Sequence, residues 1–306
     1  MKKLHELLGT NPQRGLIGLE IEAEGDNMRG HRSDFWHTED DGSLRGEFPN
    51  SRAEFVLNAP ILAKDVPVAL DELIASQKDA EFDFSFRTSV HVHVNCDTMN
   101  RDEILAFIYL YFVYENVLMH YCGEGRQANR FCLRLRDAEY QIETVMKIAS
   151  NERYLMDLNG DAIRYASMNL ASLSRYGSVE FRGLRGNMDK EVILPWVGIL
   201  IALRKKAIEL RNPMAVHEYL ASKPFEEIYN EVFGKYAEVF RYEGMERDYN
   251  EGISLSLQIP FEWKRLNVRK RATNQKVGLN YADLVNAPVQ VDFGAMIRAR
   301  NNNVQF

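Results

Sequence analysis

The chain has 306 residues, a formal net charge of -6, 45% hydrophobic residues and 27% charged residues. That length can bury a sizeable core in one large or two modest domains, and the composition is that of an ordinary globular chain. The negative balance argues against generic binding to nucleic acid or an anionic membrane, and no apolar run approaches the roughly 20 residues of a bilayer span.

The start carries Lys2 and Lys3 but also Glu6 and Asn11-Pro12, so it does not read as a signal peptide. From Gly15 to about Ile61 the pattern is strand-like, with turns at Gly25-Asp26-Asn27, Asp40-Asp41-Gly42 and Pro49-Asn50. A helix is expected over Val66 to Ala80, from Val66, Leu70, Leu73 and Ile74, and an alternating strand over Ser89 to Asn95. Asn100 and Glu103 have capping-box spacing and open a long helix to about Tyr121, apolar on nearly all sides and therefore buried against the sheet. Asp137 to Ala149 looks helical. Strands near Tyr165–Leu170 and Ser178–Gly183 follow, joined by a hairpin loop at Ser174-Arg175-Tyr176-Gly177.

Asp189 starts a helix to about Arg211, bent or begun late because of Pro195, and Asn212-Pro213 caps the next. Beyond Lys223 the chain is mixed and polar, with a weak strand signal at Val289–Phe293. The expected fold class is α+β, with residues 1–211 as the main body and 212–306 as a helical or mixed extension. Cys96, Cys122 and Cys132 lack zinc-type spacing and read as reduced thiols, which points to a cytoplasmic protein. The apolar helices Ile104–Tyr121 and Val192–Leu210 would serve as core or as an interface in a homo-oligomer.

Three triplets carry the chemistry: Glu20-Ile21-Glu22, His91-Val92-His93 and Glu180-Phe181-Arg182. Side chains alternate along a strand, so each triplet puts two polar groups on one face and an apolar residue on the other. Three carboxylates, two imidazoles and an arginine suit a rigid site for divalent cations and phosphate. Each motif alone has a plainer reading. Glu20 and Glu22 could be the solvent face of an edge strand, His91 and His93 satisfied core histidines, and Glu180 with Arg182 a surface ion pair. Glu54 could be a solvated side chain, and Asp41 and Ser43 part of a loop. Two like charges on one strand face repel, however, and a cation relieves that. Arg185 follows in a glycine-flanked loop.

In this order the motifs resemble the amidoligase family, carboxylate–amine ligases related to glutamine synthetase and glutamate–cysteine ligase. The motifs are Gly-x-Glu-x-Glu, a Trp36…Asp41-Gly-Ser43 segment, Glu54 before Pro60, His91-x-His93, Asn129-Arg130-Phe131-Cys132 and Asn169-Leu170…Gly177-Ser178-Val179-Glu180-Phe181-Arg182. The resemblance covers about residues 15 to 211. It implies a glutamine synthetase-like curved antiparallel sheet and ATP with two or three Mg²⁺ as cofactors, Mn²⁺ being an alternative. It also implies amide formation through an acyl phosphate, between a carboxylate and an amine on a small molecule, a peptide or a protein side chain. Glu20, Glu22, Glu54, Glu180 and His93 would be metal ligands. His91, His93, Asp41 and Ser43 would contact the cofactor. Glu180, Arg182, Arg185 and Arg130 would serve catalysis, Arg182 at the transferring phosphoryl group and Arg130 or Arg185 at the substrate carboxylate.

The family often modifies peptides or cell-wall-type substrates, in bacteria and sometimes in phage-encoded clusters. Gly25–Ser33 and Gly123–Asn129 are lid candidates for excluding water from an acyl phosphate. Two other readings stay open on the residues: a metal-dependent phosphotransferase or phosphohydrolase, and a retired ligase scaffold that binds metal, nucleotide or a partner. Lys264-Arg265 with Arg269-Lys270-Arg271 is the one local hint of nucleic acid, and is expected to be a solvated face instead.

Overall fold

Strand formation follows the alternation. In the computed structural model, which describes residues 1–158 and 165–257, β1 (Ile17–Asp26), β2 (Trp36–Glu39) and β3 (Arg52–Leu57) come first. The short β4 (Glu81–Phe82), β5 (Ser89–Asn95), β6 (Met168–Asn169) and β7 (Ser178–Arg185) complete one seven-stranded sheet. Its order is β2-β3-β1-β5-β7-β6, with β4 pairing the end of β1, and every ladder is antiparallel. The fold class is therefore α+β, as expected.

The two faces of the sheet separate cleanly. Leu19, Ile21, Ala53, Phe55, Val90, Val92, Val179 and Phe181 are buried on one face. Phe181 lies 5.5 Å from Phe107 and 4.9 Å from Tyr111, ring centre to ring centre, both on the long helix described next. The opposite face carries the charged triplets. In the β5–β7 ladder the pairing steps from Val90↔Leu184 to Val92↔Phe181, so β7 holds one residue more than β5 across this stretch. Such a bulge bends its strand and re-aims neighbouring side chains, and here it falls beside Arg182.

The helices are α1 (Leu4–Leu8), α2 (Val66–Ser76), α3 (Arg101–Cys122), α4 (Glu124–Gln127), α5 (Glu139–Ser150), α6 (Ala171–Tyr176), α7 (Lys190–Leu210), α8 (Pro213–Ser222), α9 (Phe225–Phe233) and α10 (Ala237–Phe240). The Asn100–Glu103 capping box forms, with the Asn100 side chain accepting from the backbone N–H groups of Asp102 and Glu103. α3 has the length and apolar content of a membrane span, but most of it is buried inside the protein. One side meets the sheet at Phe181. On the other side Tyr114 meets Phe233 of α9 at 5.2 Å and Tyr249 at 5.3 Å. A helix enclosed on both sides can be apolar all round. Residues 245–257 are also helical, and Gly252 approaches α3 so closely that a Cβ would lie 2.0 Å from the Val113 carbonyl oxygen.

Three expected elements differ. α2 ends at Ser76 rather than Ala80, the Gln77 N–H still reaching the carbonyls of Leu73 and Ile74. The expected hairpin loop at Ser174–Gly177 is the end of α6, closed by Gly177 at φ +68°, where a Cβ would lie 2.0 Å from an Asp97 carboxylate oxygen. β6 and β7 still pair, Met168 with Phe181 and Asn169 with Glu180. α7 is not delayed by Pro195: Asp189 caps it, accepting from the Glu191 N–H, and the helix runs through the proline. Asn212 and Pro213 open α8 as expected. The strand signal at Val289–Phe293 and the basic run Lys264–Arg271 lie outside the described residues.

Candidate active site

Strand register assembles the site. Glu22 on β1 faces Glu54 on β3, Glu20 faces His91 on β5, and His93 faces Glu180 on β7. All three triplets, with Glu54, therefore meet on the polar face. His91 lies between strands: its Nδ1 is 3.0 Å from Glu20 Oε2 and its Nε2 is 2.7 Å from the Ser89 hydroxyl, which donates to Glu22 Oε2 at 2.5 Å. His93 Nε2 is 3.2 Å from Glu20 Oε1, and its Nδ1 is 3.0 Å from the Ser178 hydroxyl. Arg182 Nη1 donates to Glu180 Oε1, and the Asn169 amide donates to Glu180 Oε2 at 2.6 Å.

The carboxyls on this face are not equivalent. Burial opposes the charge of Glu20, yet hydrogen bonds and charge from His91 and His93 outweigh it and hold this carboxyl well below the usual range. Burial likewise opposes ionised Glu180, and His93, Arg182 and His91 outweigh it. The His93 imidazole is pushed up: burial works against its charge, but Glu20 and Glu180 favour it more strongly. Glu54 goes the other way. Burial, then the charges of Glu20, Glu22, Asp41 and Glu39, push its carboxyl up to about 8. Among the described residues no hydrogen bond or ion pair satisfies the Glu54 side chain. A positive charge placed beside it would offset both causes.

Two groups of side chains bring their ligand atoms within 4.8 Å of one another: Glu20 with Glu54 and His91, and Glu20 with His93 and Glu180. Glu20 is common to both, which is the arrangement of neighbouring cation positions that share a carboxylate. Carboxylates dominate the donors, which suits hard divalent cations such as Mg²⁺ and Mn²⁺, and the imidazoles are compatible with the latter.

Other expected residues fall out as follows. Asp40 pairs with Arg52 at 2.9 Å, whereas the charge of Asp41 is among those that push the Glu54 carboxyl up. Ser43 donates its N–H and hydroxyl to Asp41 at 2.7 and 3.0 Å, which fixes that turn. Arg130 is exposed, with its guanidinium 4.8 Å from the Phe131 ring centre. Arg185 is not brought to the carboxylates. Its Nη1 donates to the Tyr121 carbonyl at 3.0 Å, where a cation complements the C-terminal end of α3. Of the two lid candidates, Gly123–Asn129 is anchored: buried Arg126 donates to the carbonyls of Phe86, Arg182 and Gly183. Asn169 and Ser178 have partners that the sequence did not assign. Ser89 was readable, since it lies two residues before His91 on the same strand face.

A cavity of about 420 Å³ opens beside Glu20, Glu54 and His93, closed by Pro60 and by Tyr176, whose ring meets His93 edge-on at 5.7 Å. The whole is an acid- and histidine-lined sheet face with one arginine at its centre and a cavity alongside. Residues 57–203 match the family model described as "Putative amidoligase enzyme", the family that the motifs resemble. No curated protein matches the chain. The matched stretch holds His91, His93, Glu180 and Arg182. Glu20, Glu22 and Glu54 precede it in sequence, and pairing of β1 between β3 and β5 brings them to the same face.

Proposed function

We propose that this protein is an ATP- and metal-dependent carboxylate–amine ligase that works through an acyl phosphate. The observation that carries the reading is the pair of ligand groups sharing Glu20, set beside the Glu180–Arg182 pair, in a chain with an amidoligase-family match. The antiparallel sheet with its acids on one face supports extending the proposal to a glutamine synthetase-like fold.

In this reading Glu20, Glu22, Glu54 and Glu180, with His93, hold two or three Mg²⁺ or Mn²⁺ ions. His91, Asp41 and Ser43 lie beside the nucleotide. The bound ions supply charge neutralisation at the phosphates. Phosphoryl transfer needs chiefly positioning and such neutralisation. Arg182 is placed to share the charge that spreads over the transferring group. A substrate carboxylate oxygen bonds to the γ-phosphorus as the bond to the ADP oxygen breaks, and ADP leaves. The amine nitrogen then bonds to the acyl carbon, gives up a proton and expels phosphate. Arg130 is the better placed of the two carboxylate-binding candidates, because Arg185 is committed to the end of α3.

The test is phosphorus NMR of the protein with Mg²⁺, ATP and pools of carboxylates and amines. ADP and phosphate should appear only when both pools are present, and Arg182→Ala should lower the rate by roughly 10³-fold or more with the fold intact. AMP and pyrophosphate would overturn the acyl-phosphate step. Phosphate released from an ester without nucleotide would replace the ligase with a phosphohydrolase.

A further inference from the structure

Next to Arg182 four arginines gather, Arg45, Arg87, Arg126 and Arg130, whose guanidinium groups make no ion pair among the described residues; the Glu24 carboxylate meets only the Arg45 backbone N–H, at 2.7 Å. Arg45 lies 5.6 Å from the Phe86 ring centre, Arg87 lies 5.5 Å from Phe86 and 5.8 Å from Phe131, and Arg130 lies 4.8 Å from Phe131. Guanidinium and phenyl groups thus alternate in a ladder: Arg45, Phe86, Arg87, Phe131, Arg130. Its inner end meets the active site, where Arg182 Nε donates to the Phe131 carbonyl at 3.5 Å.

Three observations separate the ladder from a solvated basic surface. First, its backbone is fixed from beneath. Arg126, 2% exposed, donates to the Phe86 and Arg182 carbonyls, and the Asn129 amide donates to the Phe86 carbonyl at 2.7 Å. Second, Arg87 is held between the two rings, with Nη1 donating to the Ser43 carbonyl at 2.9 Å and with a buried Nε that has no hydrogen-bond partner. Third, among the described residues Arg45, Arg87, Arg126 and Arg130 form no ion pair, in a chain whose net charge is -6. Fixed, mutually repelling cations without counter-charges favour anionic ligands, and planar guanidinium matches carboxylate in two-pronged fashion. Exposed Arg45 and Arg130, with Phe86 at 50% exposure, leave the ladder open to an extended molecule.

We infer that this guanidinium–phenyl ladder binds a multiply anionic chain, so that the carboxylate donor is one acidic group of an acidic, peptide-like substrate. The substrate assignment rests on the ligase reading; the anion site itself does not. Side carboxylates of the chain pair with Arg45 and Arg87, and the reacting carboxylate meets Arg130 at the inner end, beside Arg182. Phosphates of ATP are the other source of the same chemistry.

The test is fluorescence anisotropy of a labelled short oligo-glutamate peptide against the full chain, without nucleotide or metal, alongside an oligo-glutamine peptide and, separately, a labelled ATP analogue. Oligo-glutamate should bind and oligo-glutamine should not. Combining Arg45→Ala with Arg87→Lys, which keeps the inner charge but loses its stacked fork, should weaken oligo-glutamate binding by about tenfold or more. It should leave the ATP analogue within about twofold, and the thermal melt should report an intact fold. Absence of oligo-glutamate binding would overturn the inference. So would a variant that loses the ATP analogue instead, which would make the ladder a nucleotide-phosphate site. Oligo-glutamate binding here, with no ADP formed when oligo-glutamate replaces the carboxylate pool in the phosphorus NMR test with ATP, Mg²⁺ and amines, would keep the anion site and fail the ligase reading alone.

Discussion

Glu180 and Phe181 are neighbours in β7 and belong to different worlds. On the apolar face Phe181 is sealed between Phe107 and Tyr111, and the burial of such rings holds the sheet to α3. On the polar face Glu180 sits among acids and bases whose charges offset one another only in part. The contrast extends to single carboxyls. Glu20 and Glu180 are held low because histidines and Arg182 reach them. Glu115 on α3, 3% exposed on the apolar side, is pushed up to about 7 by burial, which outweighs the Ser167 hydroxyl, the Leu135 N–H and the Arg136 charge. One face supplies stability. The other holds charge that a ligand can complete.

Three experiments would break or sharpen this division. The largest effect is expected on the apolar side. Phe181→Ala should cost about 3–5 kcal/mol in urea unfolding, while Glu180→Gln should change stability far less. Equal losses in both would mean the polar face also carries the fold. Next, Mg²⁺ or Mn²⁺ at a hundred times its Kd should stabilise the native protein by about 2.7 kcal/mol, a rise of roughly 5–10 °C in Tm. Glu20→Gln removes the carboxylate common to both ligand groups and should abolish that rise; an undiminished rise would place the ion elsewhere.

The smallest and most diagnostic effect concerns Glu115. Its folded carboxyl is raised above the usual 4.5 to about 7, so its favourable contribution is complete below pH 4.5 and is lost as pH rises through 7. Glu115→Gln stays neutral. Its unfolding free energy relative to the native chain should therefore climb between those pH values by on the order of 2 kcal/mol and then level off. A pH-independent difference would show that Glu115 is already ionised in the fold.

Much of this was legible because strands have period two. That single fact put Glu20 with Glu22, His91 with His93 and Glu180 with Arg182, and left Ile21, Val92 and Phe181 for the core. Local rules also found the caps at Asn100 and Asn212. What stayed hidden depends on partners distant in sequence. Asn169 becomes a support for Glu180 only once β6 pairs with β7. Asp41 is distinguished from Asp40 by Arg52, which takes Asp40 for itself. Ala171–Tyr176 is too short to show a helical period, so its glycine end suggested a hairpin instead. The arginine ladder draws on three separate loops, and no spacing in the chain announces it. Burial of α3 on both sides was readable from its apolar content, but the helices that cover its far side were not.

The matched stretch 57–203 is a unit of recognition rather than of folding. β1 lies between β3 and β5, and all of β1 and β2 and nearly all of β3 precede the match. A fragment beginning at residue 57 would leave β5 as an open edge, its N–H and C=O groups unpaired over the length that β1 now covers. Such an edge invites a neighbouring strand. A separately supplied peptide spanning the first strands could fill it, and a second copy of the fragment would compete for the same place.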